Sequence, residues 1–339
     1  MSFLSAKNYN LKNPKDLKLE SFKINIDCLK SNEFCAKTVF SAISPGTETG
    51  AYLGLEHLKE GVIYPRLVGY CNVAKIIRVG SDVKSIKEGE FVLTFQSHKS
   101  HYIQPIEDFY LNLGNISLSV AKKYACIYLL HLGFHSLLTA KNFQGLNVGI
   151  VGCGTLGYST ALMSEISGSK TFIFSNQKSV SKIFSKSKIN VFNKKLSSVR
   201  HIHNLTNNIG LDIIINTSNK WEDWKFCLEI VNKSGKIINL GFPGRGEKLP
   251  NFNPLLPKYT YFKNLTIKSL CALDENDSPY FLSRFNLKNN LLYIKSLIDS
   301  NLLDLNSFIS AEIHYTDLEN QYKKYASRSS LLFTTILKW

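Results

Sequence analysis

The chain is predicted to fold as an α/β protein in two parts, a β-rich unit followed by a doubly wound parallel sheet. Three observations point there. An apolar run over 148–151 ends in Gly152-Cys153-Gly154-Thr155-Leu156-Gly157, followed by a helix-like segment over 158–166 and a second apolar run over 171–174. The first third of the chain is a series of short apolar runs punctuated by Gly and Pro, the pattern of a compact β unit. At 339 residues the chain is long for a single core.

Taken in order, 36–43 reads as a strand that stops at Ser44-Pro45-Gly46. Residues 72–79 read as another, closed by the turn Gly80-Ser81-Asp82, with further strands over 90–95 and 101–105. Near Ser119 the pattern changes: 121–141 is apolar at helical spacing, so one helix is expected. From the glycine turn onward the signals alternate, with a strand over 212–216, a helix over 221–231 and a strand over 236–240 ending at Gly241-Phe242-Pro243-Gly244. Such alternation implies a parallel sheet with right-handed crossovers. After 264–272, a helix over 287–300 and a tail over 307–339 with mixed signals, helix-like at 316–326, complete the chain.

Composition narrows the function classes. No apolar run is long enough to span a bilayer, and residues 1–20 are polar and lysine-rich, without the apolar core of a signal peptide. The seven cysteines are scattered, odd in number and free of any Cys-x-x-Cys pair, which fits a reducing compartment. A cytoplasmic protein with no membrane partner is expected. The net charge of +15 raises nucleic acid or an anionic small molecule as partner. The lysines are spread along the chain and no nucleic-acid-binding signature occurs. A solvated basic surface and a small-molecule substrate, with an anionic one left open, are the expectation.

The glycine turn carries the first functional signal. Gly152 permits a sharp bend, Gly154 lets the backbone approach a pyrophosphate, and Gly157 lets helix and strand pack closely. The helix N-terminus at Thr155 and Leu156 then offers N–H groups to the anion. A dinucleotide site is one reading and a purely structural turn the other.

With these residues in place, the chain resembles the medium-chain dehydrogenase/reductase superfamily over nearly its whole length. The resemblance rests on Ser41-Ala42-Ile43-Ser44-Pro45-Gly46-Thr47-Glu48, Tyr64-Pro65-Arg66-Leu67-Val68-Gly69-Tyr70, Val79-Gly80-Ser81-Asp82-Val83, Gly89-Glu90-Phe91-Val92 and the glycine turn. The Ser-Pro-Gly-Thr-Glu segment is similar to a branch that includes bacteriochlorophyllide a dehydrogenase-like proteins. The resemblance implies a GroES-like catalytic domain over 1–120, a Rossmann domain over 121–272 and a C-terminal return to the first domain over 273–339. It also implies a homodimer as one assembly. The catalytic zinc of the family has no counterpart in the side chains: Pro45, Tyr70 and Leu132 stand at the three ligand positions, and the stretch 91–105 lacks the cysteines of the structural zinc lobe. A catalytic zinc needs about three protein ligands and an open position, so no metal is expected.

An NAD site places a carboxylate about 20 residues beyond the glycine turn. Here the second strand ends in Phe174-Ser175-Asn176-Gln177-Lys178, without one. Ser175, Asn176 and Lys178, with Lys182 further out, suit the 2′-phosphate of NADP(H); a merely polar loop is the alternative. By the same resemblance Leu240, Gly241, Thr217 and Ser218 lie at strand ends beside the cofactor, and Arg245 faces cofactor or substrate.

Without zinc, a hydrogen-bond or proton donor must stabilise the developing oxyanion. Tyr70 either donates that proton or fills the volume of the missing metal. Thr47 either relays protons or caps a turn. His98 and His101 are candidate acids, or surface residues. Glu48 is read as structural, His131 and His135 as packing residues rather than a metal pair, and Cys153 as contributing only backbone. Three functions follow: a zinc-independent NADPH-dependent carbonyl reductase or secondary-alcohol dehydrogenase, an NADPH-dependent C=C reductase, and a non-catalytic NADP-binding protein.

Overall fold

The computed structural model describes residues 2–56, 63–270, 285–328 and 332–339. The chain divides into two compact units. The first holds the chain up to Tyr128, the stretch ending at Asp299, and Ile309–Trp339; the second holds the chain from Leu129 and Ser300–Phe308.

The first unit is β-rich. Its strands are β1 (Phe3–Asn13), β2 (Asp16–Asn25) and β3 (Glu33–Ala42), then, after helix α1 (Pro45–Tyr52), β4 (Arg66–Leu67), β5 (Asn72–Val79), β6 (Phe91–Thr94), β7 (His101–Pro105) and β8 (Tyr110–Gly114). Helix α2 (Leu118–Tyr124) follows, and the division between units falls inside the next helix, α3 (Ile127–Ala140). The expected strands at 36–43, 72–79, 90–95 and 101–105 are β3, β5, β6 and β7. The polar start conceals the hairpin β1–β2, paired antiparallel from Phe3↔Asn25 to Asn13↔Asp16. Only Ala6, Tyr9, Leu11, Leu17 and Ile24 turn inward there, a sparse apolar face masked by the lysines and asparagines between. The single helix expected over 121–141 is two, because the chain tightens at Ala125-Cys126, where Cys126 N–H bonds the carbonyl of Lys123. No Gly or Pro marks that break.

The second unit carries β9 (Asn147–Val151), α4 (Thr155–Ile166), β10 (Lys170–Phe174), α5 (Ser179–Ile183), β11 (Asn190–Phe192), α6 (Ser198–Leu205), β12 (Leu211–Asn216), α7 (Trp221–Ile230), β13 (Val231–Asn239) and β14 (Thr266–Ser269). The strands form one parallel sheet in the order β11-β10-β9-β12-β13-β14. Ile213, Ile214 and Ile215 of β12 are fully buried, as a strand covered on both faces requires. The winding order of the sheet reverses between β9 and β12, and it is at the carboxyl ends of strands at such a switch point that sheets of this kind bind ligands. Helices α5 and α6 and strand β11 gave too short a signal to be expected. The expected domain boundary at 273 lies outside the described residues.

The chain then returns to the first unit with α8 (Leu287–Asp299), β15 (Ile309–His314), α9 (Leu318–Ser327) and β16 (Thr334–Lys338). β16 pairs with β3, giving the sheet order β15-β16-β3-β5-β6-β8 with β7 also on β3. Leu318, Tyr322 and Tyr325 of α9 share a core with Tyr9, Ile43, Ala51 and Tyr52. Among the described residues no helix is long and apolar enough to cross a membrane.

Candidate functional site

In the first unit the site is built where β3 runs into α1. Ser44 is the N-cap and Pro45 the first helical residue, a position that suits proline because its missing N–H has no partner there. Ser44 does not cap the helix with its side chain. Its hydroxyl instead accepts a 2.5 Å hydrogen bond from the Tyr70 phenol, which also lies 3.5 Å from Thr47 Oγ1. Ser44, Thr47 and Tyr70 thus form a chain of hydroxyls. Burial pushes the Tyr70 phenol well above its ordinary pKa, the Cys71 thiol beside it adding to the effect. The phenol therefore keeps its proton at neutral pH and acts as a donor.

Tyr70 is positioned from below by a buried polar network. Gly69 has φ +86°, and a Cβ on it would fall 2.6 Å from the ring of His98. His98 is completely buried. Its Nε2 lies 2.8 Å from Glu48 Oε2 and its Nδ1 2.9 Å from Ser41 Oγ. The Tyr322 phenol donates to Glu48 Oε2 at 2.5 Å, the Ser44 N–H donates to Glu48 Oε1 at 2.6 Å, and Trp339 Nε1–H donates to Ser41 Oγ at 2.8 Å. One donor sequence satisfies every group: Trp339 to Ser41, Ser41 to His98 Nδ1, and His98 Nε2–H to the Glu48 carboxylate. Both ring nitrogens of His98 are committed, so the structure makes this candidate acid a brace. Glu48 is the hub of that brace. His101 sits elsewhere, on β7 opposite Lys37 of β3, with Nδ1 3.0 Å from Ser100 Oγ. Burial, helped by the Lys37 charge, lowers its pKa. Lys37 is roughly 16 Å back along β3 from Ala42 at about 3.3 Å per residue, so His101 does not join the hydroxyl chain.

In the second unit the glycine turn follows β9. Gly152 has φ +99°, and a Cβ there would meet Thr217 Oγ1 at 2.7 Å; a Cβ on Gly157 would fall 2.2 Å from the Gly152 carbonyl oxygen. Thr217 holds the turn by donating to the Val151 carbonyl at 3.0 Å. Gly154, by contrast, has nothing within 4 Å of its would-be Cβ, and as N-cap of α4 it supplies no side-chain cap. Thr155 is buried and Leu156 half-buried behind it. The start of α4 thus carries no side-chain cap, and open space surrounds the Cα of Gly154, between glycines that cannot be replaced. That fits the phosphates of a dinucleotide. Cys153 is buried, its thiol pushed up to about 12 by burial.

At the end of β10, Ser175 is buried with its hydroxyl accepting from Gln177 N–H at 3.2 Å, and the Asn176 side-chain carbonyl accepts from Lys194 N–H at 2.9 Å. Lys178 is exposed. No carboxylate lies between 174 and 178. The N–H groups of Leu240 and Gly241 both donate to the Asn216 carbonyl, at 2.9 and 2.8 Å, and a Cβ on Gly241 would meet the Ser218 carbonyl at 2.6 Å. Arg245 is buried over the Phe242 ring at 5.7 Å. His131 and His135 stack along α3 with centroids 5.6 Å apart. Among the described residues no group of three His, Cys, Asp or Glu is placed to hold a metal ion.

Sequence reading missed Ser44, Tyr322 and Trp339. Ser44 was in plain view beside Thr47; the other two approach from 274 and 298 residues along the chain, and no local pattern points to them.

No family model matches the chain, and no curated protein matches it. Solved structures do match its fold. It is similar to 2R,3R-butanediol dehydrogenase from Bacillus subtilis, with a TM-score of 0.79 at 13% identity over 99% of this chain and 100% of that one. It is similar to L-idonate 5-dehydrogenase from Escherichia coli, with a TM-score of 0.77 at 14% identity over 100% and 99%. A zinc-binding dehydrogenase, so described as putative, from Sinorhizobium meliloti 1021 bound to NADP gives a TM-score of 0.73 at 14% identity over 99% and 100%. At these identities the likeness is one of fold.

Proposed function

We propose that the chain is a medium-chain dehydrogenase/reductase of the zinc-less kind, an NADPH-dependent oxidoreductase that reduces a carbonyl or, in reverse, oxidises a secondary alcohol. The observation that carries this reading is the open, uncapped N-terminus of α4 at Gly154, held by the close packing of Gly152 and Gly157 at the sheet's switch point. The similar structures support it: they are described as dehydrogenases, and one was crystallised with NADP.

NADPH, when bound, supplies the hydride. The chain's own residues do the rest. Backbone N–H groups at Gly154, Thr155 and Leu156 take the pyrophosphate. Ser175, Asn176 and Lys178 present hydroxyl, amide and ammonium groups to a 2′-phosphate, where a carboxylate would repel it. Thr217, Leu240 and Gly241 shape the strand ends on which the ring rests. The Tyr70 phenol donates to the carbonyl oxygen as negative charge builds there. When its proton leaves, the Ser44 hydroxyl, and the Thr47 hydroxyl on its other contact, can turn to donate back to Tyr70, since each hydroxyl both donates and accepts. Zinc independence is supported by Pro45, Tyr70 and Leu132 at the positions that resemble the family's ligand sites.

NADPH oxidation by the purified protein, measured on a ketone panel and an enone panel with and without a metal chelator, tests the reading. Ketone turnover that survives the chelator is expected. Turnover restricted to enones would transfer the protein to C=C reduction. Loss of turnover with the chelator, restored by zinc, would refute the metal-free mechanism.

A further inference from the structure

Next to the hydroxyl chain the first unit presents an unbroken line of half-buried rings. The Tyr70 ring meets Tyr128 edge-on, with centroids 5.7 Å apart and planes at 86°. Tyr128 meets Phe95 edge-on at 4.8 Å, and Phe95 stacks on Phe109 at 4.8 Å with planes 18° apart. All four rings keep part of their surface exposed. None is a charged residue.

The line is also held in place. Phe95 precedes Gln96, whose Nε2 donates to Gln104 Oε1 at 3.0 Å; Gln104 is buried, and its Nε2 donates to the Phe109 carbonyl at 3.1 Å. Lys99 Nζ completes the chain by donating to Gln96 Oε1 at 2.9 Å. A buried amide ties the two segments that carry the stacked pair, so their rings are fixed before any ligand arrives. Rings held this way give a ligand contact area at little entropic cost.

We propose that Tyr70, Tyr128, Phe95 and Phe109 form the substrate subsite of this unit, and that the substrate is a carbonyl compound bearing a flat ring next to the carbonyl. The proposal rests on the role given to Tyr70 above and adds the substrate class. Ring faces and edges reward a second aromatic ring over a saturated one of equal size, because the quadrupoles pair in offset and edge-on contacts. A polyol gains nothing from them, since its hydroxyls would lose water without finding a partner.

The test compares acetophenone with cyclohexyl methyl ketone, which differ in the ring alone. Two readouts are taken: kcat/KM with NADPH, and binding by saturation-transfer NMR without turnover. Acetophenone is expected to be preferred roughly three- to tenfold, the worth of an aromatic pair beyond its buried area. Phe95→Leu and Phe109→Leu should each erase most of that preference and weaken the NMR signal, while Phe95→Tyr keeps both. Equal handling of the two ketones by the parent, or acetophenone binding that is indifferent to Phe95→Leu and Phe109→Leu, would overturn the subsite. If no ketone turns over, the reductase reading fails by itself, and the NMR comparison still decides whether the rings take an aromatic ligand.

Discussion

Tyr70 is where chemistry and packing meet on one side chain. Its phenol is raised in pKa by burial, bonded to Ser44 at 2.5 Å and within 3.5 Å of Thr47. Tyr70→Phe keeps the ring and its contact with Tyr128 and removes only the hydroxyl. Steady-state kinetics should show kcat lowered on the order of a hundredfold or more, the usual contribution of a positioned acid, with NADPH affinity unchanged. Full turnover in this variant would make Tyr70 a filler. The residue types of this site were legible in the sequence; their partners were not. Thr47 and Tyr70 stand in local segments that read clearly, whereas the commitment of His98 to Glu48 and Ser41 is visible only when β3, α1 and the loop before β7 come together. A second residue reports on acid stability. His131 has its pKa lowered to about 3, by burial first and by the neighbouring His135 second, from an ordinary 6.5. The unfolded chain binds a proton below pH 6.5 that the folded chain refuses. The stability this gives is complete above pH 6.5 and is lost as pH falls toward 3. The slope approaches one proton, about 1.4 kcal/mol per pH unit. His131→Phe should flatten that part of the profile in chemical denaturation between pH 7 and 4. Parallel losses in variant and parent would assign the acid sensitivity to other groups.

At the scale of elements, the turn from β9 into α4 separates folding from binding in a way few sites allow. Gly152 and Gly157 are needed for the fold, since a Cβ on either would lie 2.7 Å or less from Thr217 Oγ1 or the Gly152 carbonyl. Gly154 is not, since open space surrounds it. Gly154→Asp should therefore leave thermal unfolding nearly where it is while placing a carboxylate at the helix N-terminus, where it caps α4 and repels a pyrophosphate. Like charges brought together cost several kcal/mol, so NADPH affinity should drop on the order of a hundredfold or more by fluorescence titration. Undiminished affinity would remove the cofactor from this turn. Elements with strong periodicity were legible: β5, β7, β9 and α7 fall within a residue of where the sequence puts them. Elements that depend on distant partners were not. The hairpin β1–β2 buries one thin face of a polar sequence, and the break between α2 and α3 is made by tertiary packing without a Gly or Pro to announce it.

For the whole molecule, the sequence foretold a β-rich unit, a parallel-sheet unit and a late return of the chain, because apolar period and glycine spacing are local properties. It could not foretell that the return supplies Tyr322 and the terminal Trp339 to the brace beneath Tyr70, since contacts that long leave no local trace. The same logic explains why the fold matches many dehydrogenases at 13–14% identity: patterning and glycine geometry survive where side chains diverge, and the substrate is written in the side chains. The central claim is an intact pocket for a phosphorylated dinucleotide. Isothermal calorimetry of the purified, folded chain with NADPH and with NADH tests it most directly. One NADPH per chain, bound at least about tenfold tighter than NADH because one charge-assisted contact to the 2′-phosphate is worth roughly 1.5–3 kcal/mol, is the expected result. No heat with either nucleotide would contradict it.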